Sequence, residues 1–405
     1  MEITLLMAVS AEGNHNKYYY MVPGTETFTV KYGRYIGGTD IEKMRGVTKV
    51  YPISCWQEKL QEKIKKGYVD ITPRDIAAKS SGGKFAPEDK EIAMLIADIL
   101  DYSRKFVAAN YNVSANIVTP AAISKADAYI KQLSDIAESS GNCANSAYSV
   151  DRFNDTLEVL FCTIPRAMGC VSDFMAQKSC DFTDIIDREV NALSVLKTQA
   201  AIDKSGAQGE DDRKSFTETF GLSIAKVSGK ELEVIRSHAG SVKVAEAYAV
   251  RKEAEALRYE QWKAKHGNPR DRFVYHGTRS ENVAGILSEG LKIAPKCAQT
   301  TGHMFGYFAY FAPSAHKSYG YTSCRGTRWA RGSSSHGYMF VYKVAYTNPL
   351  RVYDWKPEFS GYTEALLKKK GYDCFYADSS KGMLLADELM VPLRQTCLKY
   401  ILRVE

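Results

Sequence analysis

The chain has 405 residues, 45% of them hydrophobic, enough to bury two or three separate cores. No apolar run approaches the ~20 residues of a membrane span, and the short run at 3–7 follows Glu2 without a basic stretch, so neither a membrane helix nor a signal peptide is expected. A net charge of +7 is compatible with a polyanionic partner without demanding one, and nine scattered cysteines with no CxxC spacing fit reduced thiols in an intracellular compartment rather than a zinc site.

Residues 1–75 favour strands. The run at 3–7 reads as a first strand, the run at 18–22 as another, and Phe28, Val30 and Tyr32 alternate with Thr29 and Lys31 as on a half-exposed antiparallel sheet. A turn-rich stretch at 37–40 follows, then Trp56, Leu60 and Ile64 at helical spacing, and a last short strand after 65–70. The small, polar residues at 79–84 read as a linker.

Helical periodicity then takes over. Pro87 suits a first-turn position, and Ile92, Leu95, Ile96, Ile99 and Leu100 lie on one buried face. Ser124 and Asp127 resemble a capping box, with Ile130, Leu133 and Ala137 continuing the apolar stripe. Further helices are expected at 151–161 and 184–196, so residues 85–200 read as a helical bundle. The polar stretch at 205–213 is a second boundary or an exposed loop. Beyond it, a charged helix is expected at 244–265, strands at 272–275 and 338–342, and an alternating strand at 398–404. Strands separated by few long helices favour an α+β fold over a doubly wound sheet.

Three segments of this last region carry chemistry. His276 ends a strand-like run and precedes Gly277, which lets a ligand approach the backbone so that its N–H and C=O can hold a carboxamide. The imidazole and the Thr278 hydroxyl can bond ribose hydroxyls. Tyr310 lies in an apolar run, and Ser318 and Tyr321 add a hydroxyl and a second aromatic face suited to a flat nicotinamide ring. Glu388 sits among Met383, Leu384, Leu385, Leu389 and Met390, where a carboxylate needs a partner or a purpose. Near a breaking glycosidic bond it could stabilise oxocarbenium-like charge and activate a nucleophile. Each residue also has a plainer reading. His276 could be a core histidine beside a turn, Tyr310 core packing, and Glu388 a water-facing strand edge like Asp387. No phosphate loop competes, because the glycines at 302–306 lack a Gly-Lys-Ser/Thr ending, and the scattered histidines suggest no metal site.

In its surroundings this trio resembles the His-Tyr-Glu signature of the DNA-dependent poly(ADP-ribose) polymerases. The resemblance runs closely from His276 through Pro295 and on through 302–306 to Tyr321. It implies a C-terminal ADP-ribosyltransferase domain at 205–405 that uses NAD+ as substrate, with no metal. His276 would then bond the adenosine ribose, while Gly277 and Ser318 hold the carboxamide and Tyr310 and Tyr321 flank the nicotinamide. Thr278, Asn282, Gly285 and Lys292 would line the adenosine side, Lys292 where an arginine is familiar, and Glu388 would be the catalytic carboxylate supported by Lys317. Residues 85–200 resemble the family's helical regulatory domain, notably at 164–169 and 185–196. Residues 1–78 resemble a WGR domain, a nucleic-acid-sensing module whose tripeptide is here Tyr32-Gly33-Arg34.

Departures from the family pattern are Tyr307-Phe308 in place of a Lys-Gly pair, Pro313 in place of an acidic residue, and a weak match from 321 to 383, where the acceptor would dock. The implied function is a poly(ADP-ribose) polymerase that modifies protein acceptors, itself included, in response to damaged DNA. It would work in the nucleus of a eukaryote or the cytoplasm of a bacterium. The alternatives are a mono-ADP-ribosyltransferase, a nucleic-acid-binding scaffold with a silent transferase fold, and an RNA 2′-phosphotransferase, which would have no reason to carry the upstream segments.

Overall fold

The structure, a computed structural model, describes residues 1–35, 45–71, 85–113, 115, 118–140, 147–206, 213–293, 304–324 and 334–405. The linker expected at 79–84 lies outside these residues, as do most of the stretch at 205–213 and residues 302–303 of the glycine-containing run. Among the described residues no helix is long and apolar enough to cross a membrane, and their cysteines are free.

By contacts the chain divides into two compact units. Met1–Gly82 and Lys105–Lys204 belong to the first; Gly83–Arg104, Ser205–Lys296 and Thr301–Glu405 belong to the second. The boundary between Arg104 and Lys105 falls within the first helix of the stretch at 85–200. The reason is chemical: Glu88 accepts hydrogen bonds from the Thr217 backbone and hydroxyl (2.8 and 3.0 Å), and Glu91 pairs with Lys226 at 3.0 Å, so this stretch is bonded into the second unit.

In the first unit, strands β1 (Thr4–Ser10), β2 (His15–Pro23), β3 (Thr27–Arg34) and β4 (Val47–Pro52) precede helix α1 (Trp56–Lys65) and the short β5 (Val69–Asp70). They form an antiparallel sheet in the order β4-β3-β2-β1-β5. Period-two alternation puts Phe28 and Val30 on one face, where they pack with Trp56 of α1; Trp56 is 3% exposed, and a fully buried aromatic of that size contributes roughly 2–3 kcal/mol. Strand β4 has no counterpart in the sequence reading. It is an edge strand with Val47 and Val50 exposed, so it shows no core-facing alternation.

Four long helices follow: α2 (Lys90–Asn110), α3 (Pro120–Ser140), α4 (Ala147–Thr163) and α5 (Phe182–Ser205). Helix α3 starts earlier than Ser124. Thr119 Oγ1 accepts from the Ala122 N–H at 3.1 Å and Pro120 takes the first helical position, so Ser124 lies within the helix and Asp127 pairs with Lys197 instead of capping. Helices α4 and α5 meet through Phe153 and Phe182, stacked at 4.0 Å. Beside them Arg166 and Glu189, each 2% exposed, form a buried ion pair at 3.3 Å, with the guanidinium over the Tyr111 ring. Removing either partner would strand a charge in the core.

The second unit begins, after the N-terminal part of α2, with α6 (Phe216–Thr219), held by a capping box of Ser215 and Glu218. Then come β6 (Leu222–Lys226), α7 (Gly229–Ala239), β7 (Val244–Lys252), α8 (Glu253–Lys265), β8 (Arg272–Gly277) and α9 (Ser280–Glu289). The charged helix expected at 244–265 is thus a strand followed by a helix. Its first half is rich in Ala and Glu, but Ala247 and Val250 pack into a sheet between β6 and the last strand, and that pairing overrides local helix propensity.

The remaining elements are β9 (Ala309–Phe311), α10 (Ala315–Tyr319), β10 (Gly337–Val344), β11 (Pro349–Val352), α11 (Glu364–Lys369), β12 (Cys374–Ala377), β13 (Glu388–Val391) and β14 (Thr396–Val404). Two sheets result, one ordered β6-β7-β14-β10-β8 and the other β11-β12-β13-β9. They join where Tyr275 and Ala312 exchange backbone hydrogen bonds of 2.8 and 2.9 Å. The unit is a mixed α+β architecture in which only β11 and β12 run parallel among the described strands. β14 is buried along most of its length rather than strictly alternating, because it lies between β7 and β10.

Candidate active site

The junction between the two sheets brings His276 and Tyr310 together. His276 Nδ1 lies 2.9 Å from the Tyr310 carbonyl oxygen. A carbonyl can only accept, so Nδ1 carries the proton and Nε2 is left as an acceptor. Desolvation holds the imidazole pKa below its usual 6.5, which favours this neutral form. Phe311 packs edge-on against the ring at 5.8 Å.

Gly277 follows on the same strand. Tyr275 turns both its backbone groups towards Ala312, and Gly277, two residues on, presents its N–H and C=O on that same side. A Cβ at Gly277 would lie 1.8 Å from the Ser318 carbonyl oxygen and 3.1 Å from Tyr321 Cβ. Glycine is therefore what lets α10 and the turn after it close on β8. Ser318 is buried, at 4% exposure, and Tyr321 is half exposed.

Tyr310 is fixed at its hydroxyl, which donates to the Gly306 carbonyl at 2.9 Å and accepts from the Phe305 N–H at 3.0 Å. Burial pushes its phenol pKa well up, and the negative charge of Glu388 adds to the shift. Tyr321 is raised by the same two causes. Glu388 opens β13, one strand from β9, and its carboxylate is ion-paired with Lys317 of α10, both side chains about one-fifth exposed. Six of the expected residues thus converge: Gly277, Tyr310, Lys317, Ser318, Tyr321 and Glu388, with His276 bonded to Tyr310.

The residues expected to line the adenosine side lie at and along α9. Thr278 precedes the helix, and Asn282 and Gly285 are half-buried one turn apart on it. Lys292 lies just past its end, exposed and paired with Glu289.

Sequence reasoning missed two supports of the cluster. Asp387 is not a water-facing edge residue: it accepts from the Ser379 N–H (2.8 Å), the Ser379 hydroxyl (2.7 Å) and the Tyr376 hydroxyl (2.9 Å), and these bonds hold its carboxyl below the usual range. It thereby pins the residue before Glu388. The second support is Asp98 of α2, which accepts from the Tyr338 hydroxyl and lies 2.9 Å from His336 Nε2. Tyr338 is next to Met339, the cross-strand partner of Gly277. The Asp98 ties span more than two hundred residues and have no local signature, while those of Asp387 reach back across one loop.

In the first unit, Tyr32 stacks on Tyr19 at 5.9 Å, with the Lys49 ammonium 5.8 Å from its ring centroid. Gly33 is required by the close approach of Arg45, whose carbonyl oxygen would lie 2.8 Å from a Cβ. Arg34 donates to the Asn14 carbonyl (2.8 Å) and the Gly169 carbonyl (3.1 Å). It ties the sheet to the loop after α4.

Residues 223–401, which contain every residue of the cluster, match the family model described as the poly(ADP-ribose) polymerase catalytic domain. That match indicates a domain of the NAD+ ADP-ribosyltransferase type over these residues. The chain is 40% identical over 98 residues to poly [ADP-ribose] polymerase 1 of Gallus gallus, covering 24% of this chain and 9% of that protein. It is 28% identical over 225 residues to poly [ADP-ribose] polymerase of Drosophila melanogaster, covering 54% of this chain and 20% of that protein. It is also 26% identical over 204 residues to uncharacterized protein 101L of Invertebrate iridescent virus 6, covering 49% of this chain and 78% of that protein. The matches to the two polymerases therefore span a fifth or less of their length.

Proposed function

We propose that this chain breaks the nicotinamide–ribose bond of NAD+ and transfers ADP-ribose to protein acceptors, itself included, and to the ends of growing chains. The observation that carries the reading is the convergence of Tyr310, Tyr321 and Lys317 on Glu388 beside Gly277, whose missing Cβ lets α10 approach β8. Gly277 and the Ser318 hydroxyl hold the nicotinamide carboxamide, and the two tyrosines flank the ring. His276 Nε2 accepts from a ribose hydroxyl, and Thr278, Asn282, Gly285 and Lys292 line the adenosine side.

Bond cleavage sends the C–N electron pair to the pyridinium, which leaves as neutral nicotinamide. Positive charge develops on the ribose, where the Glu388 carboxylate stabilises it and orients the incoming hydroxyl or carboxylate. The acceptor's oxygen forms the new bond to the ribose carbon, and a hydroxyl acceptor gives up its proton to the Glu388 carboxylate, which passes it to water.

The resemblance of the first 78 residues to a WGR domain, with the lysine-flanked Tyr32, supports activation by DNA breaks through Tyr32, Gly33 and Arg34. Arg34 would act there by holding the sheet against the loop at Gly169. The N-terminal part of α2, which belongs to the second unit, restrains the NAD+ cleft in the resting protein, and the Asp98 contacts to His336 and Tyr338 supply one fastening of that restraint. DNA binding loosens it, a population shift that needs a differential affinity of several kcal/mol to be strong.

The test is turnover of labelled NAD+ with no DNA, nicked DNA and blunt DNA, with Glu388→Gln as control. A product ladder with DNA-stimulated nicotinamide release supports the whole reading. A single band restricts the activity to mono-ADP-ribosylation, DNA-independent turnover removes the break sensor, and no nicotinamide release defeats the enzyme.

A further inference from the structure

The second unit carries a buried cation that the catalytic reading leaves unused. Lys252, the last residue of β7, is only 8% exposed. Its ammonium donates to the carbonyls of Leu287 (2.9 Å) and Ser288 (2.8 Å), both in the last turn of α9. Those carbonyls belong to the set a helix leaves without intrahelical partners, at the negative end of its dipole, and a buried ammonium is their strongest complement.

Glu255 completes the junction from the first turn of α8. It is 5% exposed, and one carboxylate oxygen accepts from the Leu398 N–H of β14 at 3.3 Å. The other faces Gly290, which ends α9 at φ +90°; a Cβ there would lie 2.8 Å from Glu255 Oε1 and 4.0 Å from Lys252 Nζ. The end of α9 is thus clamped between a lysine and a glutamate anchored in the central sheet. Val283, Ala284, Ile286 and Leu287 bury its other face, so holding this end sets the roll of the whole helix.

We propose that Lys252 is a positioning residue for the adenosine half of NAD+, acting through α9. The inference rests on the reading above that Asn282 and Gly285 face that half. Because Lys252 holds the C-terminal turn, its loss lets α9 rotate or fray. The Asn282–Gly285 stripe then shifts, while the nicotinamide end, built from Gly277, Ser318 and Tyr310 on other elements, stays in place.

The experiment compares Lys252→Met and Lys252→Arg with the unaltered full chain by calorimetric binding of ADP-ribose and of nicotinamide separately, together with KM and kcat for NAD+. The expected result for Lys252→Met is affinity for ADP-ribose about tenfold weaker. Nicotinamide affinity should change less than about twofold, with the loss appearing in KM rather than kcat, and Lys252→Arg should restore part of it. If Lys252→Met does not fold, Gly290→Ala presses on the same clamp with Lys252 intact and should show the same selective loss. Equal weakening of both ligands, or no change in ADP-ribose affinity, overturns the proposal. An unaltered protein that binds nicotinamide but not ADP-ribose overturns the underlying assignment of α9 as well.

Discussion

Lys317 and Glu388, seventy-one positions apart, meet as an ion pair where α10 faces the first residue of β13. The pair orients the carboxylate. Replacing Glu388 by glutamine keeps the shape and removes the charge. Nicotinamide release should fall by roughly two to three orders of magnitude, the scale of losing one electrostatic stabiliser, with NAD+ binding largely retained. Single-turnover assays check this; release within tenfold of the unaltered protein would remove Glu388 from the chemistry.

Gly277→Ala should be far more damaging than an ordinary glycine replacement. The added methyl would meet the Ser318 carbonyl at 1.8 Å, and backbone cannot rotate away as a side chain can. A cost above about 3 kcal/mol is expected, with loss of nicotinamide binding in whatever folds. Denaturant unfolding and nicotinamide titration measure the two effects; a variant of normal stability would show that α10 does not approach β8 as described.

His276 should titrate below the usual histidine value of 6.5, because desolvation disfavours its charged form. The unfolded chain takes up this proton near pH 6.5, but the folded chain does so only at lower pH. Stability from this group is therefore present above 6.5 and is lost as pH falls from there towards the folded pKa. With seven histidines in the chain, the ring-proton resonance can be assigned by a His276→Asn spectrum. A midpoint at or above 6.5 would contradict the desolvated, Nδ1-protonated ring.

Asp98→Ala removes the acceptor shared by Tyr338 and His336. If the helical segment restrains the NAD+ cleft, turnover without DNA should rise several-fold while turnover with saturating DNA stays nearly the same. Equal basal rates would separate these contacts from regulation.

Tyr32 and Arg34 should behave differently despite being two residues apart. Tyr32→Ala should weaken DNA stimulation with little change in folding. Arg34→Ala should first increase hydrogen exchange around Asn14 and the loop at Gly169, whose carbonyls it binds. Identical phenotypes would argue against distinct roles.

Much of this architecture is written locally. Phe28 and Val30 announce a strand by alternation, and Ile92, Leu95, Ile96, Ile99 and Leu100 announce one face of α2, where all five are buried. His276, Gly277, Tyr310 and Glu388 stand out because their neighbours are unusual for such residues. The strand at 244–252 was hidden because its three alanines and Glu246 suit a helix and only its two neighbouring strands decide otherwise. β4 was hidden because an exposed edge carries no hydrophobic alternation. Asp98, Lys252 and Asp387 were hidden for a third reason: their partners are tens to hundreds of residues away or, for Asp387, across a loop, and nothing in their own neighbourhood marks them.

The order of strands also governs how the site comes into being. β14 is the latest strand of its unit and takes the middle of the five-stranded sheet, between β7 and β10. Until residues 396–404 arrive, β6–β7 and β8–β10 are separate pairs with open edges, and β8 carries His276 and Gly277. Closing the sheet requires contacts across most of the unit, a slow and cooperative step. A growing chain would thus pass through synthesis with an unassembled cleft, and the junction of His276, Gly277 and Tyr310 would close only once the central strand has slotted in.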